Sequence, residues 1–160
     1  MKAIVAVDQQ WGIGYKGELL QRIPEDMKFF KQTTINKVVI MGRGTYDSLP
    51  GKEPLKDRIN IVLSKSLSDE RVIVCRSLDE ILTEMKKYNT DDLFVIGGES
   101  VFRLLLPYCT EAYVTKIYKT YPADKYFENM DENKEWTLTS EEELRTYQDI
   151  FFRFSRYSKR

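Results

Sequence analysis

Histidine is absent from this 160-residue chain, and that absence excludes more chemistry than any other feature of the composition. The side chain most often used as general base and as zinc ligand is missing, so Ser-His-Asp and histidine–metal mechanisms are ruled out. Acid–base work falls to a carboxylate, Lys, Tyr, Cys or a water. Net charge is absent as well, because 25 Lys and Arg balance 25 Asp and Glu. With no net field to draw the protein onto nucleic acid or an anionic membrane, a small-molecule partner is expected. Cysteine is scarce: Cys75 and Cys109 stand apart, without a Cys-x-x-Cys spacing, and are expected as reduced core or strand residues rather than a disulfide or metal pair. No metal site is expected. No apolar run approaches membrane-spanning length. Met1-Lys2-Ala3-Ile4-Val5-Ala6-Val7 is too short and wrongly flanked for a signal peptide, so a cytoplasmic location is expected. There is no repeat, linker or low-complexity tract.

Hydrophobic residues make up 42% of the chain, enough for one core, and residues 1–160 are expected to form a single domain. Ala3–Val7, Val38–Met41, Ile59–Leu63, Val72–Cys75 and Leu93–Ile96 are short continuous apolar runs, the pattern of buried strands in a largely parallel sheet. Helical patterns lie between them. The clearest sets Leu78, Ile81, Leu82 and Met85 at helical spacing behind a Ser77-to-Glu80 capping box. Repeated strand–helix–strand order through residue 106 predicts right-handed crossovers with helices on both faces. After Pro107 the strand-like segments Glu111–Tyr118, Trp136–Leu138 and Asp149–Phe154 follow without an intervening helical pattern, so an antiparallel C-terminal portion is expected. The polar stretches Asp131–Lys134 and Ser140–Glu143 read as solvated loops or turns.

Gly12-Ile13-Gly14-Tyr15-Lys16-Gly17 matches G-x-G-x-x-G after a strand, but a dinucleotide fingerprint must open a helix, and Glu18–Ile23 runs into Pro24 without room for one. A glycine-rich mobile loop is expected there. Better phosphate candidates are Ile40–Thr45 and Val95–Ser100, where an apolar strand meets glycine and then a helix-like segment. Backbone N–H groups at a helix start bind anionic oxygens, and glycine permits close approach. Leu63-Ser64-Lys65-Ser66, with Arg43, offers hydroxyl and cationic groups for a further phosphate. Pro24 suits the first position of a helix whose apolar stripe carries Ile23, Met27 and Phe30, and Asp26 lies at its edge, about 40° from Phe30. Partial burial there raises a carboxyl pKa, whereas a helix N-terminus favours the ionised form. Pattern alone favours reading Asp26 as an ordinary first-turn acid; Glu25 lies on a more polar face and is the less suited of the two to a functional role.

In order and spacing these residues resemble dihydrofolate reductase. The likeness runs from Ile4 to the C-terminal strand and is carried by Gly12-Ile13-Gly14, Ile23-Pro24-Glu25-Asp26, Val39–Thr45, Pro54-Leu55 with Arg58, and Val95-Ile96-Gly97-Gly98. The resemblance implies an α/β fold built on a mixed, mainly parallel eight-stranded sheet flanked by helices. It also implies NADPH as hydride donor and reduction of 7,8-dihydrofolate to tetrahydrofolate, in support of one-carbon metabolism and thymidylate synthesis. It further implies a monomer, open to antifolate inhibitors. On it, Asp26 would hydrogen-bond the pterin and favour protonation beside the carbon that accepts hydride, supported by the Thr115 hydroxyl. Ile4, Val5, Met27, Phe30, Lys31, Leu49, Leu55, Ile96 and Phe102 would line the substrate slot, and Arg58 would pair with the glutamate carboxylate. Ala6, Ile13 and Gly14 would meet the nicotinamide end, and Gly17 and Glu18 would also contact the cofactor. Gly42, Arg43, Gly44, Thr45, Leu63, Ser64, Lys65, Arg76, Gly97, Gly98, Glu99, Ser100, Val101 and Phe102 would hold the phosphates and adenosine, with a cis peptide between Gly97 and Gly98.

One departure concerns the site itself. Many members carry Leu-Pro-Trp where this chain has Leu19-Leu20-Gln21, and that Trp packs beside the pterin and helps hold an ordered water; the Gln21 amide offers a substitute. Lys65 replaces a small hydroxyl residue and is compatible with the NADP phosphate. Two other readings keep part of the pattern. One is a related reductase of riboflavin synthesis, for which Arg58 has no use; the other is a nucleotide-binding regulatory module without turnover.

Overall fold

The computed structural model describes residues 1–160, in which alternate strand residues divide between two packed faces. In chain order the elements are β1 (Lys2–Val7), β2 (Gly12–Tyr15), β3 (Glu18–Leu19), α1 (Pro24–Thr34), β4 (Val38–Gly42), α2 (Arg43–Asp47), β5 (Ile59–Leu63) and β6 (Ile73–Cys75). There follow α3 (Leu78–Met85), β7 (Leu93–Gly97), α4 (Glu99–Leu105), β8 (Glu111–Ile117), β9 (Lys125–Tyr126), β10 (Trp136–Glu141), β11 (Arg145–Tyr147) and β12 (Ile150–Lys159). Eight strands follow one path, β10-β12-β8-β1-β7-β4-β5-β6, and β11 pairs the start of β12 as a short ninth. From β8 to β6 every pairing is parallel, and β12 runs antiparallel to β8, β10 and β11. The mixed sheet with an antiparallel C-terminal portion is as expected.

Period-two alternation sends Ala3, Val7, Val38, Ile40, Ile61, Val95, Ala112 and Val114 to the face covered by α3 and α4, where Ile81, Val101 and Leu105 join them. The opposite face carries Val39, Met41 and Val62 under Tyr46 of α2, and Ile117, Phe152 and Phe154 under Ile23 at the start of α1. Helices thus lie on both faces, as right-handed crossovers require. Ser77 caps α3 by accepting from the Glu80 N–H at 3.2 Å, and the Glu80 carboxylate reaches back to the Arg76 N–H, one residue outside the usual capping-box partner.

Two local expectations change. Residues 12–17 are not a free loop: β2 and β3 form a hairpin whose two turn residues, Lys16 and Gly17, have φ of 50° and 83°, the left-handed pair that a two-residue hairpin turn demands. The β9 strand pairs β2 on its other side, and the Lys16 N–H donates to the Asp124 carboxylate at 3.0 Å. The polar run from Ser140 is also more ordered than its composition suggests, because β10 continues through Glu141 against Ser155 and Arg156 of β12. An edge strand with solvent on its outer side has no apolar alternation to announce it.

Candidate active site

Helix α1 opens with Pro24 at its first position, where the missing N–H is not needed, and its first turn carries Glu25 and Asp26. The two acids part company. Glu25 points outward to an ion pair with Arg145 at 2.7 Å. Asp26 points to the sheet, where its carboxylate accepts from the Thr115 hydroxyl at 2.6 Å. Thr115 sits on β8 and is 2% exposed, so the bond is held by a rigid element. Burial raises the Asp26 pKa above the ordinary carboxylate range, and the Thr115 hydrogen bond opposes that rise without cancelling it. Before the carboxyl lies a recess, lined also by Ala6, Ile13, Leu20, Gln21, Ile23, Met27 and Ile117. A carboxyl moved toward neutrality and facing a largely apolar recess is suited to proton exchange with whatever fills it.

The same sheet face continues toward Arg58. Met27 is 44% exposed and Phe30 half-buried on α1, while Leu49, Leu55 and Ile96 pack together against the Val39 and Met41 cluster. The expected stripe of Ile23, Met27 and Phe30 is therefore divided: Ile23 is core, and Met27 borders the recess. The Arg58 guanidinium stands 5.9 Å from the Phe30 ring centroid, with Nε donating to Thr34 Oγ1 at 3.2 Å and Nη1 to the Lys56 carbonyl at 2.9 Å. Nη2 has no protein partner, leaving a donor for an anion. Lys31 is exposed at the end of the helix. Ile4 is 6% exposed, and its even position puts it on the Thr115 side of the sheet.

Two residues expected in the slot are elsewhere. Val5 follows Ile4 on the strand, so its side chain faces the other layer, against the core that holds Ala3 and Val7. Phe102 is 4% exposed on α4, edge-on to Phe127 at 4.9 Å, and backs Gly97 from within that core. Val101, at 2% exposure, is likewise buried. A contact in an apolar cluster looks the same in sequence as a contact with an aromatic ligand.

The glycine junctions meet at the carboxyl ends of three adjacent strands. Gly42 of β4 pairs with Leu63 of β5, and Met41 pairs with Gly97 of β7, the end of a parallel sheet at which nucleotides bind. Neither α2 nor α4 has a side-chain cap, so their first N–H groups are available. Gly97 and Gly98 are joined by a cis peptide, and Gly97 has φ 142°. A Cβ on Gly97 would stand 3.1 Å from Thr45 Oγ1, and one on Gly42 3.0 Å from Val101 Cγ2. Both glycines are packed too closely against neighbouring side chains to carry a Cβ, and the uncapped helix-start N–H groups beside them are suited to anionic oxygens such as those of a diphosphate. Beside it lie exposed Arg43, Gly44, Lys65 and Arg76. Arg76 donates to the Ser64 carbonyl at 3.0 Å, whereas the Ser64 hydroxyl turns inward and accepts from the Leu67 N–H at 3.0 Å. Ser64 is therefore committed to its turn, Arg43 Nε is paired with the Asp47 carboxylate at 3.1 Å, and of the three cations Lys65 alone has no protein partner. Ser100 is exposed on α4, while the Glu99 carboxylate accepts from the Tyr126 N–H at 2.6 Å, tying α4 to β9.

Residues 1–159 match the family described as dihydrofolate reductase. The chain belongs to the dihydrofolate reductase family. Dihydrofolate reductase of Drosophila melanogaster is 34% identical over 139 residues, covering 78% of this chain and 76% of that one. That of Buchnera aphidicola is 38% identical over 125 residues, again 78% and 76% of the two chains. Among solved structures, dihydrofolate reductase from Enterococcus faecalis complexed with NADP(H) and RAB-propyl superposes with a TM-score of 0.87 at 33% identity, covering 99% of this chain and 95% of that one.

In this member of the dihydrofolate reductase family the hairpin of β2 and β3 brings Gly12, Ile13 and Leu19 to the recess, with Gly17 and Glu18 exposed at its tip, and Gly14 is not among the residues that line it. Ala6 lies beneath it at the end of β1. Two supporting residues have no counterpart among the sequence-based expectations. Asp8, 4% exposed, accepts from the N–H groups of Gln10, Gly12 and Tyr121 at 2.9, 2.8 and 3.0 Å, and so anchors the hairpin. Asn60, 5% exposed, pairs both its amide ends with Leu55 at 3.0 and 2.9 Å and holds the Leu55–Arg58 segment in place. Asn60 carries a visible signal, a lone amide within the apolar run Ile59–Leu63; Asp8 carries none.

Proposed function

We propose that this protein reduces 7,8-dihydrofolate to 5,6,7,8-tetrahydrofolate with NADPH, and that Asp26 is the carboxyl that serves the proton transfer. The observation that carries the reading is the Asp26–Thr115 pair, joined at 2.6 Å and facing the recess. A carboxyl held there accepts hydrogen bonds from a pterin amino group and ring N–H, fixes the ring, and favours protonation of the neighbouring nitrogen. Ile4, Met27, Phe30, Leu49, Leu55 and Ile96 shape the slot, and Arg58 takes the glutamate carboxylate through its free Nη2. The N–H groups of the Gly42–Thr45 and Gly97–Ser100 segments, with Arg43, Lys65 and Arg76, hold the dinucleotide. Ala6, Ile13 and Gly14 bound its nicotinamide end. When bound, that cofactor supplies the hydride. The chain's own part is to orient two flat rings, exclude water with the hairpin and manage one proton.

Residues 1–160 act as one cytoplasmic, monomeric domain that supplies one-carbon metabolism and thymidylate synthesis, and antifolates bind in the same slot. No helix is long and apolar enough to cross a membrane. The test is absorbance at 340 nm with purified protein, NADPH and dihydrofolate. Dihydrofolate-dependent NADPH oxidation is expected, and its absence sinks the reading.

A further inference from the structure

A polar link at the entry to α1 is left unused by the site as described. Gln21 lines the recess before Asp26, and both ends of its carboxamide are engaged. Nε2 donates to the Arg22 carbonyl at 3.3 Å, and Oε1 accepts from the Tyr121 hydroxyl at 3.1 Å. A carbonyl oxygen only accepts, so the Gln21 nitrogen faces Arg22, its oxygen faces Tyr121, and the Tyr121 hydroxyl must be the donor. Burial pushes the Tyr121 pKa up, and the negative charges of Asp8 and Asp149 add to the rise, so that proton stays in place through the neutral range. Tyr121 is fixed from behind as well. Its N–H donates to Asp8 Oδ2 at 3.0 Å, and its ring packs on the Ile23 and Ile117 cluster.

We propose that Tyr121 is a positioning residue for the substrate site and acts through Gln21, an inference that rests on the dihydrofolate reading above. With Oε1 pinned by Tyr121 and one amide hydrogen on Arg22, the second N–H of Gln21 remains an uncommitted neutral donor of the recess. Asp26 is the acceptor it complements. The pair selects a heterocycle that gives N–H groups to Asp26 and presents an acceptor atom toward Gln21. Without the Tyr121 hydroxyl only the 3.3 Å bond to the Arg22 carbonyl holds the amide, and the side chain swings out of the position that presents its second N–H to the recess.

The test is steady-state NADPH oxidation at varied dihydrofolate for the parent, Tyr121→Phe, Gln21→Leu and the double variant, each with its Tm. Tyr121→Phe is expected to raise KM for dihydrofolate about three- to tenfold, the scale of one hydrogen bond, with KM for NADPH unchanged. Gln21→Leu is expected to lose at least as much, and the double variant no more than Gln21→Leu alone, because both substitutions break one link. A lowered Tm with unchanged KM for dihydrofolate, or effects that multiply in the double variant, overturns the role of Tyr121. Should Tyr121→Phe fold poorly, an unchanged KM for dihydrofolate in Gln21→Leu overturns it equally. A parent without turnover refutes the activity itself, whereas a parent that turns over beside an unaltered Tyr121→Phe refutes only this inference.

Discussion

Replacing Thr115 by Val leaves a methyl where the hydroxyl now meets Asp26 at 2.6 Å, and the cost should depend on pH. A hydrogen bond to a charged group contributes about 1.5–3 kcal/mol and one between neutral groups about 0.5–1.5 kcal/mol. Because the carboxyl opens onto the recess, where solvent screens part of the loss, the lower end of the first range applies. The Thr115 bond lowers the Asp26 pKa in the folded protein, against the larger upward push of burial. Losing the bond raises that pKa further, so the variant's folded state holds a proton over a wider range. Its deficit relative to the parent must then grow as pH rises from the parent's folded pKa through the variant's, and stay at the neutral-bond value below the parent's folded pKa, because the unfolded state is common to both. Urea unfolding between about pH 4 and pH 8 measures this, as does Tm, where about 1.5 kcal/mol corresponds to about 3–6 °C for a chain of this size. In an Asp26→Asn background the pH dependence should vanish. A deficit that is flat with pH, or one that keeps its slope in the Asn background, would refute the coupling of these two residues.

Further predictions concern single positions. Asp26→Asn should lower dihydrofolate reduction near neutral pH by about 10²- to 10⁴-fold, with partial recovery in acid, where solvent protonates the substrate; a variant equally active at every pH removes Asp26 from the mechanism. The same variant should be more stable than the parent in urea above the raised Asp26 pKa, because burial of the charged form penalises the parent there, and the difference should fade as pH drops to the unfolded value. Arg58→Leu should raise KM for dihydrofolate about 10- to 100-fold, the scale of a charge-assisted pair. Its assignment fails if steady-state kinetics show no change. Gly97→Ala, at φ 142° and with its Cβ 3.1 Å from Thr45 Oγ1, should destabilise the fold by about 1–3 kcal/mol and weaken NADPH binding. A variant with parental stability and cofactor affinity contradicts this assignment.

Much of this fold is legible in the chain, for local reasons. Continuous apolar runs fix the parallel strands because both faces of such strands are buried, and Pro24 and Ser77 mark helix starts through their own backbone chemistry. Histidine's absence by itself confines the acid–base role to few residue types. What periodicity leaves open is decided by tertiary contacts. Asp26 and Glu25 are adjacent acids in one first turn, and only the position of Thr115, 89 residues away on β8, makes one of them the buried partner. Val5 and Phe102 are apolar residues close to the site in sequence, yet strand alternation and helix packing turn them into the opposite core. Residues 12–17 look like a loop because a short hairpin outside the main sheet buries too little to show alternation, and its pairing with β9 joins segments far apart in the chain. Gln21 likewise acquires the partner for its amide oxygen only from Tyr121. Local backbone preferences and burial patterns are written in neighbouring residues, whereas which polar group finds a partner depends on chain segments that only the closed fold brings together.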